Sequence, residues 1–142
     1  MVKLSEFRSD TRSIQDGAWI RVNEAAYGDL DIMTRGFTDE FIDAQNARLS
    51  KAAEPYGGDR TRIPNAEQRR INASLLTDFL VIGVRNLMDG DTEVTVEDFH
   101  KMLVDPSLNR LARACWDAAA RVTARSVAQV EAAAGNSLPP SH

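Results

Sequence analysis

Residues 65–105, NAEQRRINASLLTDFLVIGVRNLMDGDTEVTVEDFHKMLVD, contain the most apolar run in the chain, Phe79-Leu80-Val81-Ile82-Gly83-Val84, followed by a sharp acidic turn and a short capped segment. One stripe at helical spacing runs Ile71, Leu75, Phe79, Ile82; a second runs Leu76, Leu80, Gly83, Leu87. Two adjacent stripes make a face too broad for a surface helix. They predict a single helix from Asn65 to Asp89 whose second half is buried nearly all round, with Phe79 and Ile82 at the centre of the core. A glycine inside a helix costs about 1 kcal/mol relative to alanine, so Gly83 is expected to let a neighbouring backbone come close. Asn65 with Gln68 reads as a capping box at the start of this helix, and Gly90 as the left-handed residue that closes it. Thr95 then caps a short helix reaching about Val104, with Asp98 at its third position and a Val94–Phe99 staple. Asp105-Pro106 is a second cap with proline at the first helical position, opening a last helix that runs to about Ala134.

Upstream, Ala18–Val22 and Leu30–Arg35 alternate as half-buried strands do and predict a hairpin around a turn at Asn23–Asp29. A lone hairpin is marginal in water, so it must lie against helices. Thr38 caps the first long helix, with Phe37 placed to staple onto Ile42 and with Asp39 and Glu40 favoured by the helix dipole. This helix stops before Pro55, and EPYGGDRTRIP at 54–64 is a loop. The expected fold is therefore mostly α in an α+β arrangement: about four helices packed as one small domain, with a short N-terminal β-hairpin. Residues 1–16 are an arm, 17–134 the domain and 135–142 a loose tail.

A chain of 142 residues, 43% hydrophobic and 27% charged, is long enough to bury a core without staples. The formal charge of −4 argues against nucleic acid as a main partner, since phosphate binding draws on a basic excess. The single cysteine, Cys115, excludes an intramolecular disulfide. MVKLSEFRSDTR lacks the apolar run of a signal peptide, and Phe79–Val84 is too short to span a bilayer. A soluble intracellular protein is expected.

No catalytic constellation emerges from the residues. Asp89-Gly90-Asp91-Thr92-Glu93-Val94-Thr95-Val96-Glu97-Asp98 resembles the second part of a calcium loop, but Leu87 stands at the first ligand position and Thr92 where the sharp-turn glycine belongs. A plain acidic turn accounts for it. With His100 and His142 the only histidines and one cysteine, no structural zinc set can be assembled. Cys115 falls on the apolar stripe Leu108, Leu111, Cys115, Ala118, Val122 of the last helix and reads as inert core. Arg113, Asp117 and Arg121 form a ladder on its other side. Arg60, Arg62, Arg69 and Arg70 form one basic cluster, read as a solvated loop first and an acidic-partner contact second. No phosphate loop or nucleophile elbow is present, so neither enzyme activity nor a cofactor or metal is expected. The last helix is small-residue-rich nearly all round. Its alanines either pack within the monomer or, with Trp116, serve a partner helix; Leu111, Trp116, Ala119 and Ala120 are the candidate partner contacts.

Three segments, GAWIRV, TRGFTDEFIDAQNARL and LLTDFLVIGVRNLMDGDTEVTVEDFHKMLVDPSLNRL, together resemble the tail assembly chaperones of long-tailed bacteriophages and tail-like particles. An apolar helix, a short acidic Asp-Gly turn, a capped helix reaching Leu103 and then Asp105-Pro106 recur in that order in the family, and the likeness covers roughly residues 17–125. Many members carry a Trp in the apolar helix, where the nearest aromatic here is Phe79. The resemblance implies a non-enzymatic role. Such proteins bind the long helical tape-measure protein, keep it soluble, help recruit tail-tube subunits and leave before the particle is complete. They act in the cytoplasm of the bacterial host, without nucleic acid or membrane as partner, and a homo-oligomer is left open. A head–tail connector or tail completion protein stands as the alternative, and a degenerate calcium-loop regulatory module as the second.

Overall fold

In the computed structural model, which describes residues 1–137, the chain runs α1 (Thr11–Asp16), β1 (Ala18–Arg21), α2 (Glu24–Tyr27), β2 (Asp31–Thr34), α3 (Asp39–Ala53), α4 (Asn65–Leu75) and β3 (Val81–Arg85). It continues through β4 (Met88–Asp89), β5 (Thr92–Glu93), α5 (Val96–Met102), α6 (Asn109–Ala124) and α7 (Val127–Ser137). The protein is mostly helical, but with seven helices among the described residues where about four were expected. The expected hairpin forms, with Ala18 facing Thr34 and Ile20 facing Ile32, and α2 occupies its connecting turn. It is completed by an unexpected third strand, in the order β1-β2-β3.

That strand overturns the single helix expected from Asn65 to Asp89. α4 ends at Leu75, Leu76–Leu80 form a wide π turn, and the chain then extends as β3. β-branched Val81, Ile82 and Val84 suit a pleated, partly buried surface. The two stripes ran through residues of different elements, α4, the π turn and β3, so their helical spacing did not report one helix. Thr34 faces Val81, Met33 faces Gly83 and Ile32 faces Val84, so Ile82 is the extra residue of a β-bulge. The bulge puts Val81 and Val84, three residues apart, on one face. The centre of the core shifts accordingly: Leu75, Leu76, Leu80 and Val81 are at most 1% exposed, whereas Phe79 and Ile82 are only partly buried. Gly83 does admit a close neighbour, but a side chain rather than a helix backbone. A Cβ there would lie 3.1 Å from both Met33 Cβ and Trp19 Cη2.

Other local expectations divide in the same way. Thr38 accepts a hydrogen bond from Phe41 N (3.1 Å), as expected, but Phe37 stacks on Phe41 (5.2 Å between centroids) and leaves Ile42 exposed. The Asn65–Gln68 box is not made, because the helix begins one residue early. Pro64 is the N-cap, and Gln68 Nε2 donates instead to the Ile63 carbonyl (3.4 Å). Gly90 has the expected positive φ of +62°, but as the first residue of the two-residue turn joining β4 to β5, where a II′ hairpin wants glycine. Thr95 caps α5 through Asp98 N (3.2 Å), and Val94 and Phe99 are both buried. Asp105 caps the turn at Pro106–Leu108 through Ser107 N (2.9 Å).

The last helix is two. α6 stops at Ala124, and Ser126 and Gln129 form a reciprocal capping box that starts α7: Gln129 N donates to Ser126 Oγ (3.1 Å) and Ser126 N to Gln129 Oε1 (3.0 Å). The break is pinned by the N-terminal segment, with Asp10 N donating to Arg125 O (3.0 Å) and Val127 N to Arg8 O (2.8 Å). The presumed arm thus carries a short helix and ties the two terminal regions together. At the other end α7 runs on through Gly135 to Ser137, and the remaining expected tail, 138–142, lies outside the described residues. α6 packs across β1 and β2 through Ala114, Cys115, Ala118, Ala119 and Val122, all at most 3% exposed. Small side chains bring its axis close to the sheet, and this face of the alanine-rich helix is internal.

A candidate partner-binding cleft between two helices

The alternation of helix faces leaves an open cleft of about 370 Å³ between α4 and α6. From α4 it is lined by Asn65, Gln68, Arg69 and Asn72, which recur every three to four residues on one face. Asn109, Ala112, Arg113 and Trp116 line it from α6 at the same offsets, and Leu103 closes one side. Trp116 is half-buried. Its ring lies 5.9 Å from that of Phe41 and 6.3 Å from that of Phe37, so the aromatic cluster of α3 holds one face while another part of the indole borders the cleft. Phe79 joins this cluster edge-on to Phe41 (6.5 Å), beneath the Arg48 guanidinium at 5.3 Å.

The four candidate contacts fall differently. Trp116 is in the cleft and Leu111 is partly buried against the core. Ala120, one turn beyond Trp116 on the same face, is exposed. Ala119 is 0% exposed and belongs to the interior beneath the sheet, so it is removed from any partner surface. The residues missed from sequence are the polar ones on α4, and their signal was present: Asn65, Gln68, Arg69 and Asn72 fall on one helical face, with the buried Ala73 at the floor of the same cleft. The basic cluster divides. Arg60 is tied to Asn46 and Ser50 of α3, Arg62 lies over the Tyr56 ring (5.6 Å), and Arg69 alone of the four lines the cleft.

A second polar feature sits on the outer face of the sheet. Asp31 is 3% exposed, flanked in register by Arg21 on β1 and Arg85 on β3. Arg21 Nε donates to its Oδ1 (2.5 Å) and Arg85 Nε to its Oδ2 (2.7 Å). Hydrogen bonds from Arg21 foremost hold the Asp31 carboxyl below its ordinary value, against the opposing cost of burial, and those from Arg85 add to the effect. The Arg85 guanidinium also lies 4.2 Å from the centre of the Trp19 ring. This row is a structural clamp across three strands.

Burial pushes the Cys115 thiol up to about 12, so it stays protonated and inert. His100 Nε2 lies 2.8 Å from the Val81 carbonyl, a bond that ties α5 to β3. The acidic stretch after Leu87 is a β-hairpin and a helix cap, with no helix leading into it as a calcium loop requires. Among the described residues no group of three or more His, Cys, Asp or Glu is placed to hold a metal ion, and no helix is long and apolar enough to cross a membrane. Large apolar side chains are most exposed on the N-terminal segment, at Val2, Leu4 and Phe7. The chain matches no known family model, no curated protein and no solved structure.

Proposed function

We propose that this protein is a tail assembly chaperone of a phage or tail-like particle, which binds the helical tape-measure protein without chemistry and assists assembly of the tail tube. The likeness of three sequence segments to that family motivates the reading. The observation that carries it is Trp116, which lines an open cleft between two helices while its other face is fixed on Phe37 and Phe41. An aromatic side chain anchored in this way offers a partner helix a rigid apolar surface at little cost in side-chain entropy. A long helical client with exposed apolar stripes aggregates unless those stripes are covered, and a cleft between helices covers them reversibly. In this role the protein works in the host cytoplasm and is absent from the finished particle.

Co-expression with the tape-measure protein tests the role directly. The soluble fraction of the client should rise and the two should co-purify. Trp116→Glu should weaken both effects while thermal unfolding stays cooperative; Ala120→Glu, exposed on the same face, should do so without touching the aromatic cluster. Stoichiometric retention of the protein in mature particles, with no effect on client solubility, would refute the chaperone role and identify a connector.

A further inference from the structure

We infer that the cleft between α4 and α6 selects the acidic face of an amphipathic partner helix, with carboxylates meeting Arg69 and Arg113 while an apolar side chain seats on Trp116. This specifies the surface chemistry of the client and rests on the client-binding role above.

Three observations carry it. The two walls are matched stripes, with Arg69 and Arg113 at the same place in each, and a stripe of this length spans about 10 Å, or two turns of a guest helix. Among the described residues Arg69 and Arg113 make no ion pair and no side-chain hydrogen bond, as is also true of Arg8, Arg35, Arg70 and Arg125, whereas Arg12, Arg21, Arg48, Arg85 and Arg121 pair with carboxylates; what sets the two apart is that both face one cleft. Finally, among the described residues no carboxylate lines the cleft, although the chain as a whole carries a formal charge of −4. An acidic protein that leaves two arginines unpaired in its aromatic-edged cleft has a complementary charge to receive. The planar guanidinium fork matches a carboxylate in two-point geometry. The remaining polar lining is amide, which can donate or accept and repels neither the charge nor the backbone of a guest. Nucleic acid fits less well, because phosphate-backbone binding sums over many cations and this cleft offers two.

The probes are dye-labelled model peptides of about four helical turns, each with one leucine stripe flanked by Glu, Gln or Lys, titrated into the full-length protein by fluorescence anisotropy. At low salt the Glu peptide should bind about fivefold more tightly than the Gln peptide, the scale of two partly exposed ion pairs, and the Lys peptide most weakly. The preference should vanish near 1 M salt, where the screening length falls to about 3 Å. Arg69→Gln with Arg113→Gln should abolish the Glu-over-Gln preference but retain binding through the leucine stripe; Arg113→Gln alone, at an exposed position, serves if the double variant unfolds early. Equal binding of the Glu and Gln peptides, tighter binding of the Lys peptide or of a single-stranded oligonucleotide, or no binding of any peptide would overturn the inference. So would a self-associated form that the arginine changes dissociate while the peptide ratio stays fixed. In each of those cases a persisting rise in client solubility on co-expression leaves the chaperone role standing, so the two failures are distinguishable.

Discussion

Replacing Asp31 with Asn tests whether the Arg21–Asp31–Arg85 row stabilises the sheet. The carboxylate accepts from Arg21 Nε (2.5 Å), Arg21 Nη2 (3.3 Å) and Arg85 Nε (2.7 Å), and its own side chain is 4% exposed. Hydrogen bonds to charged groups contribute about 1.5–3 kcal/mol each when fully formed. Both arginines remain nearly half exposed, however, so water re-solvates them once the charge is gone, and Asn keeps one acceptor oxygen. The substitution also relieves the burial of a charge. The net loss at neutral pH should be about 1–2 kcal/mol. Urea unfolding followed by tryptophan emission measures it, with Trp19 stacked on Arg85 as a local reporter. The pH dependence supplies an independent check. The folded carboxyl titrates below its ordinary value, so its contribution is fully present above the unfolded value near 3.9 and is lost as the pH falls through the folded one. The gap between wild type and Asp31→Asn should hold from neutrality to about pH 5 and close below about pH 4. A gap under about 0.5 kcal/mol at pH 7, or one unchanged in acid, would show that the row is incidental.

Two further expectations concern the segments that sequence periodicity misplaced. Leu80→Ala should destabilise by about 2–5 kcal/mol and by more than Ile82→Ala, since Leu80 is fully buried and Ile82 is the partly exposed bulge residue; chemical denaturation that ranked them in the reverse order would restore the continuous helix. Ser126→Ala should cost about 1 kcal/mol and reduce amide protection in the first turn of α7, leaving that of α6 unchanged, in hydrogen exchange.

What was legible in the sequence was whatever local chemistry dictates. The caps at Thr38, Thr95 and Asp105 depend on a side chain and a backbone group within three residues, and all three are made. The β1–β2 hairpin was legible because its two short runs, Ala18–Val22 and Leu30–Arg35, alternate enough to suit a half-buried strand. Longer-range competition was not. Phe79–Val84 is apolar at every position, so its periodicity alone does not separate a buried helix from a buried strand. Only the partner decides, and the partner is β2, whose far edge would otherwise stand unpaired. The break at Arg125 had a local signal in Ser126-Val127-Ala128-Gln129, a capping-box pattern hidden inside an alanine-rich run whose helix propensity favours continuity.

The same distinction explains the cleft. Trp116 was conspicuous as a large aromatic among alanines, but the alanines beside it divide by angle on one helix. Ala119 points beneath the sheet and Ala120 into solvent, a division that composition does not express and that 100° per residue makes inevitable once α6 lies on β1 and β2. Arg69 and Arg113 were assigned to unrelated features, a loop cluster and a helix-surface ladder, because they are far apart in the chain. The ladder forms only in its second half, Asp117 with Arg121 at 2.9 Å, and its unpaired first member is the arginine that turns toward α4. Helix α4 ends at Leu75 because β3 must join the sheet, and α6 crosses that sheet because its small residues permit it. The cleft is the space those two constraints leave between them, and Arg69 and Arg113 face each other across it from helices that no signal in the sequence pairs.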